Sequence, residues 1–271
     1  MHLHTNHSDG SDAPARVVER AAELGLAAVA ITDHDTTSGV AEAEEAAKHH
    51  GLGFLRAVEI SAGCGGAEVH IVGMGINPDN PELQAVLESL RTSRNARADR
   101  IIERLDGLGI HVDRTRIEAE ACGAVGRMHI ARELLRLEKS KTVQGAFDKY
   151  IGRGQPAYVP KWTVSCEQAI DCIHQASGLA ILAHPGLRSV KQLLAKLLCF
   201  PFDGIEAYHV QHSPGQVTQF LDLAKERDFI VSGGSDCHGR AKGMKPEMGK
   251  VRLPFEHFEH IERELADRLA H

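Results

Sequence analysis

The chain has 271 residues, of which 42% are hydrophobic and 25% charged. This composition is typical of a globular protein and excludes intrinsic disorder. The formal net charge of -6 excludes a strongly basic nucleic-acid-binding protein. The sequence contains 17 histidines against three tyrosines and one tryptophan. Because histidine is the commonest metal ligand, this excess points to metal binding.

The first part of the chain, residues 1–78, alternates between helix and strand signals. Ser11, Asp12 and Pro14 predict the start of a helix that ends at Gly25. A second helix is predicted at about 40–50. Apolar segments predict strands at 27–31, 54–60 and 68–73, and a further strand is expected at the extreme N-terminus.

Residues 79–161 differ, because strand signals give way to helical periodicity. Regularly spaced apolar residues predict one or two long amphipathic helices first, and shorter helices at 128–137 and 142–150. The segment carries 15 Lys/Arg and 12 Asp/Glu, whereas the remainder carries 16 and 25. A basic segment above an acidic body is suited to holding an anionic substrate over cations. We therefore predict a helical insertion that acts as a substrate lid.

The alternation returns in residues 162–271. Helices are predicted near 167–176, 190–198 and 216–227, and strands at 179–183, 204–207 and 229–232. Alternating strands and helices predict an α/β fold with a parallel sheet or barrel. The barrel would be formed by residues 1–78 and 162–271, on either side of the all-helical insertion.

Potential metal ligands stand at nearly every predicted strand end. In parallel barrels these ends converge on one face, where the active site lies. In His2-Leu3-His4 the two imidazoles point the same way, since side chains alternate along an extended segment. Imidazole and carboxylate together suit manganese, zinc or iron. The other candidates occur in Ser8-Asp9-Gly10, Asp33-His34-Asp35, Glu59, His70, Ala183-His184-Pro185-Gly186 and Ser235-Asp236-Cys237-His238.

These motifs, in this order, resemble the PHP (polymerase and histidinol phosphatase) family. The resemblance implies a distorted seven-stranded (β/α) barrel, about three divalent ions with manganese the first expectation, and metal-dependent phosphoester hydrolysis. Catalytic roles are implied for His184 and Asp236. The family pattern has an aspartate before the first His-x-His, where this sequence has Met1. The implied metal ligands are His2, His4, Asp9, His34, Glu59, His70, His184, Asp236 and His238.

Arginines recur every three or four residues in the first helix of the insertion, at 91, 94, 97, 100 and 104. Such spacing predicts a guanidinium stripe suited to phosphate, with a solvated helix face as the alternative. The resemblance implies substrate contacts for Arg94, Arg97 and Arg127, and less strongly for Arg132. Asp33 and Asp35 are expected to orient loops or imidazoles, and His209 has no implied role.

Within the family, the insertion is most similar to stand-alone bacterial 3′,5′-nucleoside bisphosphate phosphatases, some relatives of which are 5′-to-3′ exoribonucleases. The expected substrate is a bisphosphonucleotide or a short 5′-phosphorylated RNA. A histidinol-phosphate phosphatase, a metal-dependent amidohydrolase and a non-catalytic PHP binding module are the alternatives.

The location of the protein is predicted from what the sequence lacks. Its six cysteines form no C-x-x-C pair, which favours reduced thiols. The sequence contains no signal-peptide pattern and no apolar run of about 18 residues. We therefore expect a cytoplasmic protein without membrane contact, and no feature indicates an obligate protein partner.

Overall fold

The computed structural model describes residues 1–121, 125–240 and 247–270. It contains a curled mixed sheet with helices packed around it. The strands are β1 Ala28–Ile31, β2 Gly53–Cys64, β3 Ala67–Met74, β4 Val164–Ser165, β5 Leu179–Leu182, β6 Gly204–His209 and β7 Ile230–Gly234. They lie in the order β1-β2-β3-β5-β6-β7, and β4 pairs with the far end of β2.

The helices separate into a group that flanks the sheet and a group in the 79–161 segment. The first group is α1 Pro14–Glu23, α2 Val40–His50, α7 Cys166–Gln175, α8 Arg188–Lys191, α9 Leu194–Leu197, α10 Pro214–Arg227 and α11 Phe255–Ala270. The second is α3 Pro81–Gly107, α4 Arg114–Glu120, α5 Arg127–Arg136, α6 Val143–Ala146 and a π-helical turn Phe147–Ile151. Among the described residues, no helix is long and apolar enough to cross a bilayer.

The prediction of an all-parallel sheet was wrong for β3. This strand runs antiparallel to both β2 and β5. The cause is local, because Gly65 and Gly66 both have positive φ and join β2 to β3 directly. A two-residue glycine turn of this kind returns the chain alongside itself, so the two strands must be antiparallel.

The predicted N-terminal strand is reduced to one residue. Leu3 forms an isolated parallel bridge with Cys237, and its carbonyl oxygen accepts from Thr32 N at 2.9 Å. Since Thr32 follows β1 and Cys237 follows β7, this segment spans between the two edges of the curled sheet. The structure also contains β4, which was not predicted. Its two residues carry too little periodicity to be recognised in a sequence.

Two apolar cores are connected by α3. Leu83, Leu87 and Leu90 pack with the sheet and α7, whereas Ile101 and Leu105 pack with α4, α5 and the π-helical turn. Asn80 caps the helix by accepting from Leu83 N, and proline follows it. The described part of the 79–161 segment is helical and has its own core. The division of the chain into three segments at 78/79 and 161/162 stays a prediction.

Candidate metal centre and anion cleft

The N-terminal His-x-His segment is fixed by its middle residue. Leu3 is buried under α1 and α2, and alternation directs His2 and His4 together to the other side. His4 N donates to Cys237 O at 3.0 Å, which ties the segment to the loop after β7. Both imidazoles are buried and lie at the end of the sheet where β1 and β7 finish.

Asp33 organises the loop that carries Asp9. Its carboxylate accepts from Thr5 N at 2.7 Å, Thr5 Oγ1 at 2.6 Å and Ser8 Oγ at 2.5 Å. The neighbouring His34 bridges to Glu59, so the loop after β1 extends the sheet beside β2. Asp33 therefore has the loop-orienting position expected of it.

Glu59 is the centre of the site. It is fully buried in β2, and each of its oxygens faces several imidazoles. Oε2 lies 2.9 Å from His34 Nδ1, 3.2 Å from His4 Nε2 and 3.3 Å from His2 Nε2. Oε1 lies 3.0 Å from His70 Nδ1 and 3.1 Å from His184 Nε2. One carboxylate thus lies close to side chains from four different segments of the chain.

The loop after β7 supplies Asp236 and His238. Asp236 Oδ1 lies 3.0 Å from His4 Nε2, and His238 Nε2 lies 3.0 Å from Asp9 Oδ1. All nine side chains named as ligands by the resemblance therefore converge in one place. Their roles as metal ligands stay a prediction.

Eight of the nine side chains, all except His184, form overlapping groups with the spacing of metal ligands. Within each group the candidate ligand atoms lie within 4.8 Å of one another. His4, His34 and Glu59 each belong to two of these groups. The groups are His4, Asp9, His34 and His238; His2, His4, Glu59 and Asp236; and His34, Glu59 and His70.

The donor set fits divalent cations. Several buried ligand atoms have no hydrogen-bond partner, and unpaired buried polar atoms are rare in stable proteins unless something else satisfies them. A mixed imidazole and carboxylate set is suited to manganese, zinc or iron. The unpaired atoms are His2 Nε2, His4 Nδ1 and Nε2, Asp9 Oδ1, His34 Nδ1, Glu59 Oε2 and His184 Nδ1.

Electrostatics favour ionised carboxylates at the centre. Burial alone would raise the pKa of Glu59, but His34, His70 and His2 hold it well below its usual value. Burial likewise opposes ionisation of Asp236, yet the imidazoles of His209 and His4 keep its pKa low. The site thus keeps its negative charges at neutral pH, as cation binding requires.

Three residues of the site have a strained backbone conformation. Asp35, His184 and Asp236 have φ values of 57°, 30° and 49°, in the region that disfavours residues with a Cβ. Such residues cost about 1–3 kcal/mol each and cluster at functional sites, where the surrounding structure holds them. Two of the three are candidate ligands that directly follow strands β5 and β7.

A cleft of about 190 Å³ opens beside the cluster, between the sheet and the helical segment. Its walls include Asp9, His34 and His70 from the cluster. Facing them are four cationic side chains, Arg94, Arg97, Arg127 and Lys161. Burial and the nearby Arg127 guanidinium together lower the pKa of Arg97 to about 10. Crowded cations of this kind are suited to a phosphate.

Of these cations, Lys161 is connected to the candidate ligand His70 through a carboxylate, and Arg94 lies beside the loop that carries His34. Arg94 pairs with Asp35, whose other contacts are Ser61 N and Oγ. Lys161 Nζ donates to Ser61 Oγ at 2.7 Å and to Glu68 at 2.6 Å. Glu68 Oε1 in turn lies 3.0 Å from His70 Nε2.

The predicted guanidinium stripe was wrong as a whole. Of its five arginines, Arg94 and Arg97 line the cleft and the other three are exposed: Arg91 pairs with Glu88, Arg100 donates to Ala96 O, and Arg104 donates to Tyr158 O. Three residues turn a helix about 60° short of a full turn, so repeated steps of three rotate away from any one face. Outside the stripe, Arg132 donates to Asp9 O at 3.3 Å.

Three site residues were missed by sequence reasoning. Glu206 is buried in β6 and accepts from His184 N at 2.7 Å, with Oε1 3.0 Å from His2 Nδ1. A carboxylate inside an apolar strand was a usable signal, because buried charges need partners. His209, which had no assigned role, places Nε2 3.8 Å from Asp236 Oδ2. Lys161 had no sequence signal.

The PHP domain model matches residues 1–96. The 5′-3′ exoribonuclease Rnm of Escherichia coli is 38% identical over 88% of this chain and 84% of its own. The 3′,5′-nucleoside bisphosphate phosphatase of Chromobacterium violaceum is 36% identical over 90% and 88%. A phosphoribosyl 1,2-cyclic phosphate 1,2-diphosphodiesterase of Eggerthella lenta is 30% identical over 94% and 98%.

Solved structures agree with these relatives. A protein from Bifidobacterium adolescentis assigned as a metal-dependent phosphoesterase superposes with a TM-score of 0.88 at 31% identity, over 97% of this chain and 94% of its own. An amidohydrolase from Chromobacterium violaceum, with bound sulfate and no metal, superposes with a TM-score of 0.82 at 35% identity, over 98% of this chain and 95% of its own.

Proposed function

This chain belongs to the PHP family and is a phosphoesterase that uses divalent metal, and we propose that it removes the 3′-phosphate of 3′,5′-bisphosphonucleotides. The products would be a 5′-mononucleotide and phosphate. Short 5′-phosphorylated RNA, trimmed 5′-to-3′, is the second substrate. The observation that carries the proposal is the joining of a candidate cation cluster to a cleft lined by four basic side chains.

We assign the cluster to about three cations, with manganese the first expectation. His2, His4, Glu59 and Asp236 would hold one, and a second would lie among Asp9, His34 and His238, with His4 in reach. Glu59, His70 and His184 would hold the third. When bound, such cations act as Lewis acids that make water nucleophilic at neutral pH and neutralise charge on phosphoryl oxygens.

The protein side chains would position the substrate and move protons. Arg94, Arg97 and Arg127 would bind the phosphate that is not hydrolysed, and Lys161 would face the reacting one. Asp236 would accept a proton from the attacking water, and His184 would donate towards the leaving ribose oxygen. Holding both phosphates lowers the barrier by positioning.

The second anion site separates this proposal from the histidinol-phosphate alternative. A bisphosphate needs cations away from the reacting phosphorus, whereas an amine-bearing substrate would be repelled by them. Of the four cations in the cleft, Arg94 and Lys161 have their charge offset by Asp35 and Glu68, so Arg97 and Arg127 supply the remaining positive charge. The charge of the cleft therefore favours a substrate with two phosphate groups.

A comparison of three substrates tests the proposal. Protein loaded with manganese is assayed with 3′,5′-bisphosphoadenosine, histidinol phosphate and a short 5′-phosphorylated RNA. We expect the bisphosphate to give the highest kcat/KM and histidinol phosphate the lowest, with loss of activity in a chelator and recovery with manganese. Equal and feeble turnover of all three would refute the substrate assignment.

A further inference from the structure

A second cavity adjoins the anion cleft on its helical side. We call it the side cavity, and its volume of about 750 Å³ lies within the range of roughly 300–1,000 Å³ found for small-molecule sites. Arg127, Met128 and Phe147 line both the cleft and the side cavity, so the two spaces adjoin at these side chains. The other lining residues are Val143, Gln144, Asp148, Gly152, Arg153 and Gln155.

The wall of the side cavity combines a flat surface with amide groups. The Arg127 guanidinium lies over the Phe147 ring, 5.5 Å from its centroid. Met128 and Val143 add apolar surface, and Gln144 and Gln155 supply amide donors and acceptors. A nucleobase has the complementary chemistry, because its face stacks on aromatic rings or guanidinium planes and its edge forms hydrogen bonds.

The backbone under this wall is built in an unusual way. Phe147 begins the π-helical turn, and Gly152 N donates to Phe147 O at 2.8 Å, five residues back. A Cβ at position 152 would lie 2.5 Å from that oxygen, so only glycine fits the turn. Short π-helical segments occur frequently at functional sites. Here the segment carries the ring that both spaces share.

We propose that the side cavity binds the nucleobase of the substrate, which stacks beside the Phe147–Arg127 pair. This rests on the proposed action on nucleotides and adds that the base is a recognised part of the substrate. The phosphates would lie in the cleft and the base in the side cavity, with Arg127 at the junction. Since stacking is available to every base, the site would favour nucleotides over sugar phosphates without selecting one base.

Removing the base from the substrate tests the proposal directly. The probes are 3′,5′-bisphosphoadenosine and 1-deoxyribose 3,5-bisphosphate, which has the same two phosphates and no base. For the wild-type enzyme we expect kcat/KM to be roughly 5- to 150-fold higher with the base present, the range for one stacked base. Phe147→Ala should reduce that ratio towards one by acting on the adenosine substrate alone.

Phe147 also packs against the helical core, so a second variant is needed. Phe147→Leu keeps an apolar side chain and removes the aromatic face, and it should lower the ratio with little loss of fold. The matched control is Phe255→Leu, an exposed phenylalanine on α11 outside both spaces, and it should leave the ratio unchanged.

The outcomes separate this proposal from the one on which it rests. If the wild-type enzyme hydrolyses both bisphosphates equally well, the base site is wrong and the bisphosphatase assignment stands. If both Phe147 variants slow both substrates by the same factor, the residue is structural and the base site is again wrong. If neither bisphosphate is hydrolysed, the function and the base site fail together.

Discussion

The metal cluster and the anion cleft beside it are constructed in opposite ways. The cluster draws on six separate segments, whose side chains are held by strands of the sheet and by the loops that follow them. The cleft takes most of its cations from the helical segment, which has a core of its own. We therefore expect the chemistry of bond cleavage and the choice of substrate to reside in different parts of this molecule. Changes in the first should affect all substrates, and changes in the second only some.

The largest effect is expected for Glu59→Gln. Glu59 faces five imidazoles, so the loss of its charge should empty more than one cation position. We expect kcat/KM to fall by on the order of 10³-fold for every substrate, as when a main electrostatic group is removed. Metal analysis of the purified variant should show fewer ions per chain. A loss of kcat/KM with bisphosphates alone would contradict the division between cleavage chemistry and substrate choice.

Arg94→Ala should affect substrates unequally. A hydrogen bond to a charged group contributes about 1.5–3 kcal/mol, so KM for 3′,5′-bisphosphoadenosine should rise roughly 10- to 150-fold. A simple aryl phosphate, which does not need the whole cleft, should change far less. Arg100→Ala, on the exposed side of the same helix, is the matched control. Equal changes with both substrates would remove the assigned role of Arg94.

Glu206→Gln should weaken the cluster without removing a ligand. Glu206 accepts from His184 N and contacts His2 Nδ1. Burial alone would raise the pKa of Glu206, but the nearby His2 imidazole outweighs burial and lowers the pKa to about 2. Mutation of a carboxylate that hydrogen-bonds to a ligating histidine typically lowers metal affinity about 10–100-fold. Chelator competition measures this directly, with the exposed Glu262→Gln as control. Unchanged affinity would mean that Glu206 serves packing only.

The smallest effect should come from Asp203, at the opposite end of the strands. It accepts from Ala180 N at 2.7 Å and contacts His174 Nε2 at 2.7 Å and Arg268. Asp203→Asn should lower the free energy of unfolding by about 1–3 kcal/mol and leave kcat/KM unchanged. A change in substrate preference would show that the two ends are coupled.

The decrease in the free energy of unfolding caused by Asp203→Asn should depend on pH in a definite direction. Burial opposes ionisation, but His174, the Ala180 amide and Arg268 hold the Asp203 pKa below its usual value. A carboxylate with a lowered folded-state pKa stabilises above its unfolded pKa of about 3.9 and loses this contribution as the pH falls through the folded-state value. Denaturant melts of wild type and variant should therefore differ at pH 7 and converge in acid.

The sequence predicted the cluster better than the cleft for a physical reason. Strand ends converge whatever the rest of the fold does, so His34, His184 and His238 could be placed from periodicity alone. Arg94 and Arg97 depend on which face α3 turns to the sheet, and that is decided by packing far along the chain. Lys161 reaches the cleft through a segment that has no regular pattern.

For the direction of β3 and for Glu206, the sequence contained a signal that the prediction did not use. Gly65-Gly66 between two strand patterns is a recognised hairpin signature, and it would have made β3 antiparallel. Glu206 was a charge within an otherwise apolar strand. The resemblance to a family supplied the ligand set and the fold, and the residues alone gave only the convergence.

The continuity of α3 has a consequence for how the two cores can vary. Leu90 belongs to the sheet core and Ala98 to the helical core, and both cleft arginines of this helix lie between them. Each residue added to a helix rotates everything beyond it by about 100°. One inserted residue in this interval would rotate the helical core about the axis of α3 and move Arg97 away from the sheet core. The interval between positions 90 and 98 is therefore a fixed spacer, whose length cannot change by one residue without separating the cleft from its cations.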